Sequence, residues 1–168
     1  MGLPLAHLGR TDEARAVLAQ SLDRFGPLIA DGRLPVLLAG HLLETAVILG
    51  DSDAADLLAA PLSTLSSRLF AGSRCALTSI GRLLGGAAAL RGDREQVRAY
   101  YQQGLEVSQK ARFRPEIALI RLELAELLLK ESPAEALAHL DLAIAEFQEM
   151  KMQPALERAL KHKGLLHA

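Results

Sequence analysis

The stretch Leu84-Gly85-Gly86-Ala87-Ala88-Ala89-Leu90-Arg91-Gly92-Asp93-Arg94-Glu95-Gln96-Val97-Arg98-Ala99-Tyr100-Tyr101 decides how this chain folds. A small-residue, apolar segment runs into Gly92, Asp93 follows, and a second segment opens in which Val97, Tyr101 and Leu105 recur at helical spacing. A glycine that breaks one helix and an aspartate that caps the next describe a tight helix–helix joint. The joint has copies. Gly9 precedes Ala14 as Gly92 precedes Val97, Gly50 precedes Ala55 in the same way, and Ala136 continues the series without its glycine. The steps are about 40 residues long, within the range of helical-repeat arrays. Units of this kind bury their faces only against neighbouring units.

Working outward, the second helix of each hairpin carries a spaced apolar face: Ala14, Val17, Leu18 and Leu22 in one, Ala136, Leu137, Leu140 and Ile144 in another. The segments Leu34 to Leu49, Cys75 to Leu90 and Pro115 to Lys130 are nearly apolar all round, as helices sandwiched between layers should be. Thr11, Asp51 and Asp93 read as N-caps, and Ser132-Pro133-Ala134-Glu135 as a capping box with proline at the first helical position. Pro35 and Pro115 mark helix starts, whereas Gly26-Pro27, Asp31-Gly32, Ala71-Gly72 and Gln153-Pro154 read as breaks, and no strand is expected. Leu3 to Leu8 is too short for a full first helix, so the chain reads as a fragment of a longer protein. Pro154 to Leu166, with Glu157, Arg158, Lys161 and Lys163, suits a polar terminal cap. The expected fold is all-α: a right-handed stack of helical hairpins in one domain, residues 1–168, with units near 1–30, 34–70, 74–110 and 115–150 and a capping helix over 152–168.

Composition narrows the function classes. Apolar residues make up 50% of the 168, enough for a sizeable core, and with aromatics at 4% and no Trp that core must be aliphatic. Lys and Arg number 19 against 20 Asp and Glu with the signs interspersed, so no overall field selects nucleic acid or anionic lipid. The single cysteine, Cys75, excludes an internal disulfide and, without a secretory leader, leads to a cytoplasmic expectation. His41 and Glu44 interrupt the longest apolar run, which argues against a membrane span.

The order of large and small residues in Leu84-Gly85, Ala88, Gly92, Val97, Tyr101 and Leu105 resembles the tetratricopeptide repeat, with weaker copies in Leu5, Leu8-Gly9, Ala14 and Leu18 and in Leu124-Ala125, Ala136, Leu140 and Ala143. The step departs from that family's 34 residues, and its first-helix tryptophan is absent throughout. The long Leu- and Ala-rich units, closing on Ala145 to Met152 and Ala155 to Leu160, are similar to the C-terminal helical repeats of large bacterial regulators, LuxR-type or cyclase-linked ATPases. The resemblance implies a signalling or transcription-regulating context. None of those regulators' ATP-binding, cyclase or DNA-reading motifs lies within these residues.

Candidate chemistry is sparse. Ile80-Gly81-Arg82-Leu83-Leu84-Gly85-Gly86 lacks the Gly-Lys-Ser/Thr end of a phosphate loop, and its glycines fit close helix packing. His41, Glu44 and Thr45 share a helix face, but one histidine makes no zincin pair, and His7, His139, His162 and His167 show no ligand spacing. Lys110-Ala111-Arg112-Phe113-Arg114 mixes basic and aromatic residues at a helix end, where cations suit the helix dipole. Cys75 has no nearby His, and no Gly-x-Ser-x-Gly elbow occurs.

The sequence therefore reads as a non-catalytic interaction scaffold or sensor segment, with no cofactor and no metal. Two alternatives stand beside it: a structural self-association or domain-linking module, and a small-molecule-sensing groove. The expected partners are a protein or peptide, neighbouring domains of a parent chain, or a second copy; membrane and nucleic acid are not expected. The few polar residues of the apolar first helices are the groove candidates: His41, Glu44, Thr45, Ser79, Arg82, Arg121 and Glu126, of which Arg121 and Glu126 cannot share a face. Val17, Leu18 and Leu22 are the candidates for self-association through an uncovered first unit. The repeat register also makes a stability prediction. Ala136→Leu should overpack a helix crossing and lower stability by about 1–3 kcal/mol, and a thermal melt unmoved by the change would put the register in error.

Overall fold

A computed structural model describes residues 2–70 and 78–166, and among them the chain is almost wholly helical. The α-helices are α1 (Gly2–His7), α2 (Thr11–Ala30), α3 (Val36–Leu49), α4 (Ser52–Ala59), α5 (Ile80–Arg91), α6 (Arg94–Lys110), α7 (Arg114–Leu128), α8 (Pro133–Met150) and α9 (Gln153–Leu166). A 3-10 segment, Ala60–Leu65, follows α4, where Pro61 supplies no N–H to continue an α-helical ladder. Each helix packs chiefly on its neighbours in sequence, and α1 also meets α3, α3 meets α5, and α7 meets α9.

The Gly–Asp joints do the local work expected of them. Gly50 and Gly92 take left-handed conformations, at φ 67° and 74°. Their N–H groups and those of Asp51 and Asp93 bond back to the carbonyls of Val47, Ala46, Ala89 and Ala88, closing the preceding helix. Each aspartate carboxylate then accepts from the third residue on, Ala54 or Gln96, at 3.1 Å. One helix ends and the next begins within two residues, which forces a sharp reversal.

The repeated small positions face inward. Ala14, Ala55, Val97 and Ala136 are all 1% exposed or less. Around them the aliphatic core runs along the chain as contiguous clusters, one under α1 to α5, one between α5, α6 and α7, and one under α7, α8 and α9 centred on Phe147. The glycines of α5 permit very close packing. A Cβ on Gly81 would lie 2.6 Å from the Tyr100 carbonyl oxygen and 2.8 Å from the Gly104 nitrogen, and one on Gly85 would strike the Tyr101 ring.

Several local expectations are corrected. A short antiparallel pair, β1 (Leu69–Phe70) with β2 (Thr78–Ser79), precedes α5, so that helix starts at Ile80 and not at Cys75. Cys75 itself and the Ala71-Gly72 break lie outside the described residues. Gly26-Pro27 does not end α2, which continues to Ala30 because Ile29 is buried in the core and holds the final turn. Thr11 is inside α2, with Arg10 at the cap position and its guanidinium on Glu13. Ser132 stands at the α8 N-cap, but its side chain makes no capping bond; its carbonyl accepts from Ala136 instead. Leu18 is a core residue at 1% exposure, because α1 folds onto α2 and α3 and covers the face proposed for self-association. Leu22 packs on the same core, and Val17 is only partly exposed.

The close approach at Gly81 yields a paired test. Gly81→Ala should lower stability by about 1–3 kcal/mol, since its new methyl meets backbone that cannot step aside. Gly164→Ala, in α9 with open space around the built Cβ, should instead raise it by about 0.5–1 kcal/mol. Equal effects of the two changes in chemical denaturation would contradict the packing.

Candidate functional site

Polar residues of α3, α7 and β2 converge on one guanidinium. Arg82, in the first turn of α5, donates from Nε to Glu116 at 3.0 Å, from Nη1 to Glu123 at 3.1 Å, and from Nη2 to Glu44 at 3.0 Å and to the Thr78 hydroxyl at 3.1 Å. Glu44 comes from α3, while Glu116 and Glu123 come from α7 and, seven residues apart, share one face of it. The cluster therefore ties α3, α5 and α7 together.

Glu116 is its most buried member, 2% exposed. One of its oxygens accepts from the Thr78 hydroxyl at 2.9 Å and from the Ser79 N–H at 2.7 Å as well as from Arg82. That places a carboxylate at the N-terminal end of α5, where the helix dipole favours negative charge. The Ser79 hydroxyl completes the same helix start by accepting from the Arg82 N–H at 3.1 Å. Burial alone would lower the Arg82 pKa, but Glu116, Glu123 and Glu44 overcome it and hold the guanidinium firmly charged. Burial pushes the Glu123 carboxyl above its ordinary range, against the pull of Arg82 and Arg158. Burial likewise raises Tyr101, helped by the nearby Glu123 charge.

The cluster forms one end of a cavity of about 1040 Å³. Glu44, Arg82, Thr78 and Glu116 line that end, and Val17, Phe25, Leu42, Phe113, Leu119 and Met152 supply apolar walls. The lining thus draws on α1, α2, α3, α5 and α7, on β2 and on the turn before α9. His41 contributes its ring, edge-on to Phe70 with centroids 6.4 Å apart.

Of the sequence candidates, His41, Glu44, Thr45 and Arg82 come together in this lining. Thr45 does so with its hydroxyl committed, donating to the His41 carbonyl at 2.7 Å. Ser79 is fully buried as the α5 cap and does not reach the cavity. Arg121 lies near His139, whose pKa is lowered by burial first and by Arg121 second. Glu126 pairs with Arg158 at 2.5 Å and with His162 at 2.9 Å. Neither of these two lines the cavity, so both are withdrawn as groove residues. Glu116, Thr78 and Glu123 were not among the candidates. Their available signal was an arginine in the first turn of a largely apolar helix together with two glutamates seven residues apart on a single face of α7.

Among the described residues no group of three or more His, Cys, Asp or Glu side chains could hold a metal ion, and no helix is long and apolar enough to cross a membrane. A scan of protein-family models matches none to this chain, and a search of curated proteins finds none similar to it.

The raised Glu123 pKa carries a pH prediction. A carboxyl that binds its proton more tightly in the fold than in the unfolded chain costs stability as pH rises above its ordinary value of 4.5 and towards the raised one. Glu123→Gln abolishes that titration and keeps an acceptor for Arg82. The melting temperature of the variant should therefore gain on that of the parent as pH is raised from that ordinary value of 4.5 to neutrality. A constant or shrinking difference would show that Glu123 titrates normally in the fold.

Proposed function

We propose that the chain is a non-catalytic interaction module: a right-handed tetratricopeptide-like solenoid of helical hairpins that serves as a scaffold or sensor segment of a cytoplasmic bacterial signalling or transcription regulator. The observation that carries this reading is the cavity of about 1040 Å³ across the inner helices. It slightly exceeds the usual ligand-pocket range of about 300–1000 Å³. Its position suits a partner segment laid along the trough, gaining affinity from the apolar walls and register from the charged end.

The charged end does not read as a catalytic constellation. General acid–base chemistry needs a group within reach of a substrate proton and poised to exchange it. Here the Arg82 guanidinium is held charged, and Glu116 directs one carboxylate oxygen to three donors that organise the start of α5. These bonds fix the polar lining in place, which supports a binding role. The resemblance of the repeats to the C-terminal segments of bacterial regulators supplies the biological context.

The test is direct. A random peptide display library panned on the chain should yield binders that compete with one another for a single site. Leu119→Arg, which places a long cation on the cavity wall, should abolish that binding with the helical circular-dichroism spectrum intact. Failure to select any peptide, or binders indifferent to the blocked cavity, would count against the interaction reading.

A further inference from the structure

An arginine in a pocket ordinarily suggests an anionic ligand, because the guanidinium fork matches a carboxylate or phosphate. The surroundings of Arg82 reverse that expectation. Four of its five N–H donors are engaged by Glu44, Glu116, Glu123 and Thr78. Three carboxylates face this one guanidinium within hydrogen-bonding distance, which leaves an excess of negative charge. An incoming anion would find little of the fork free and would meet like charge.

The surplus also has an outlet. Glu44 and Glu116 both line the cavity, whereas Glu123 does not. Each binds its partners through a single oxygen, Oε1, and among the described residues the second oxygen accepts no hydrogen bond from a side chain. Arg24, the other arginine of the lining, is exposed and has its guanidinium 5.4 Å from the centre of the Phe25 ring. Apolar walls adjoin the carboxylates, so a long aliphatic stem ending in a cation would find cover for both its parts.

We propose that the cavity takes a peptide segment bearing a lysine or arginine flanked by apolar residues, with Glu44 and Glu116 receiving the cation. The inference rests on the reading of the chain as an interaction module and adds the chemistry of the partner. Charge complementarity selects this occupant over an acidic one, and the trough running between several helices suits a segment with more than one side chain to place.

The same display library decides it. Peptides lost on Leu119→Arg should be enriched in a basic residue beside apolar ones. In fluorescence anisotropy, Glu44→Gln should weaken them about tenfold, as should replacing their basic residue by methionine against the unaltered protein. The second comparison needs no protein variant, so it stands even if Glu44→Gln disturbs folding. Cavity binders without a basic residue, binders enriched in acid, or equal affinity for both peptide forms would overturn the cationic anchor and leave the interaction reading intact. Small organic amines that bind where no peptide does, and that weaken with Glu44→Gln, would overturn the peptide as occupant. If nothing binds in a cavity-dependent way, the interaction reading falls and this proposal falls with it.

Discussion

A single buried guanidinium joins three helices that are not neighbours in sequence, α3, α5 and α7. Helices α5 and α7 meet largely through side chains, and Arg82 spans the space between them while reaching α3 on its other side. Desolvating an arginine is costly unless carboxylates and hydrogen bonds compensate, and the geometry here supplies both. The carboxylates depend on the arginine in turn, since breaking a buried pair by removing one partner typically costs about 3–5 kcal/mol. The cavity inherits its shape from this arrangement. Its polar lining belongs to a cluster whose first task is to keep α3, α5 and α7 in place.

The outer architecture follows from shorter-range rules. Gly–Asp pairs stop one helix and start the next, and small residues at Ala14, Ala55, Val97 and Ala136 let the returning helix settle against its neighbour. Between α6 and α7 a non-glycine residue, Arg112, takes the left-handed conformation, at φ 53°, and at the turn from α8 into α9 Lys151 does so at φ 56°, where the N–H groups of Lys151 and Met152 bond back to Gln148 and Phe147. The backbone solution at that joint is shared, although the residue that makes it differs.

Much of this was legible in the sequence because it depends on spacing. A helix face is a period, a cap is a residue type at a fixed offset, and both can be read without knowing what lies opposite. The errors fall where tertiary contacts decide. Two-residue strands such as Leu69–Phe70 and Thr78–Ser79 are too short to show alternation, and the core burial of Ile29 carries α2 through a proline that local rules treat as a stop. The site divides in the same way. Helical spacing grouped His41, Glu44 and Thr45 on α3, but the carboxylate partners of Arg82 lie 34 to 41 residues away along the chain. Periodicity says which way a residue points on its own helix and nothing about which residue it finds, so the spacing around Glu116 does not point to Arg82. Helix geometry set Arg121 and Glu126 on different faces, and their neighbours prove to be His139 for the first and Arg158 and His162 for the second.

The crossing at Gly81 and Gly104 bears on how the molecule can diverge. There the separation between α5 and α6 is set by main chain against main chain, with no side chain between them to lengthen or shorten. Drift in sequence on either helix leaves that distance fixed as long as the glycines persist. Between α5 and α7 the spacer is instead a set of long charged side chains, and exchanging glutamate for aspartate or arginine for lysine would alter its length. Of two adjoining joints, one is therefore inherited as a constant and the other is open to revision, so related chains could retune the width of the trough without rebuilding the hairpin beside it.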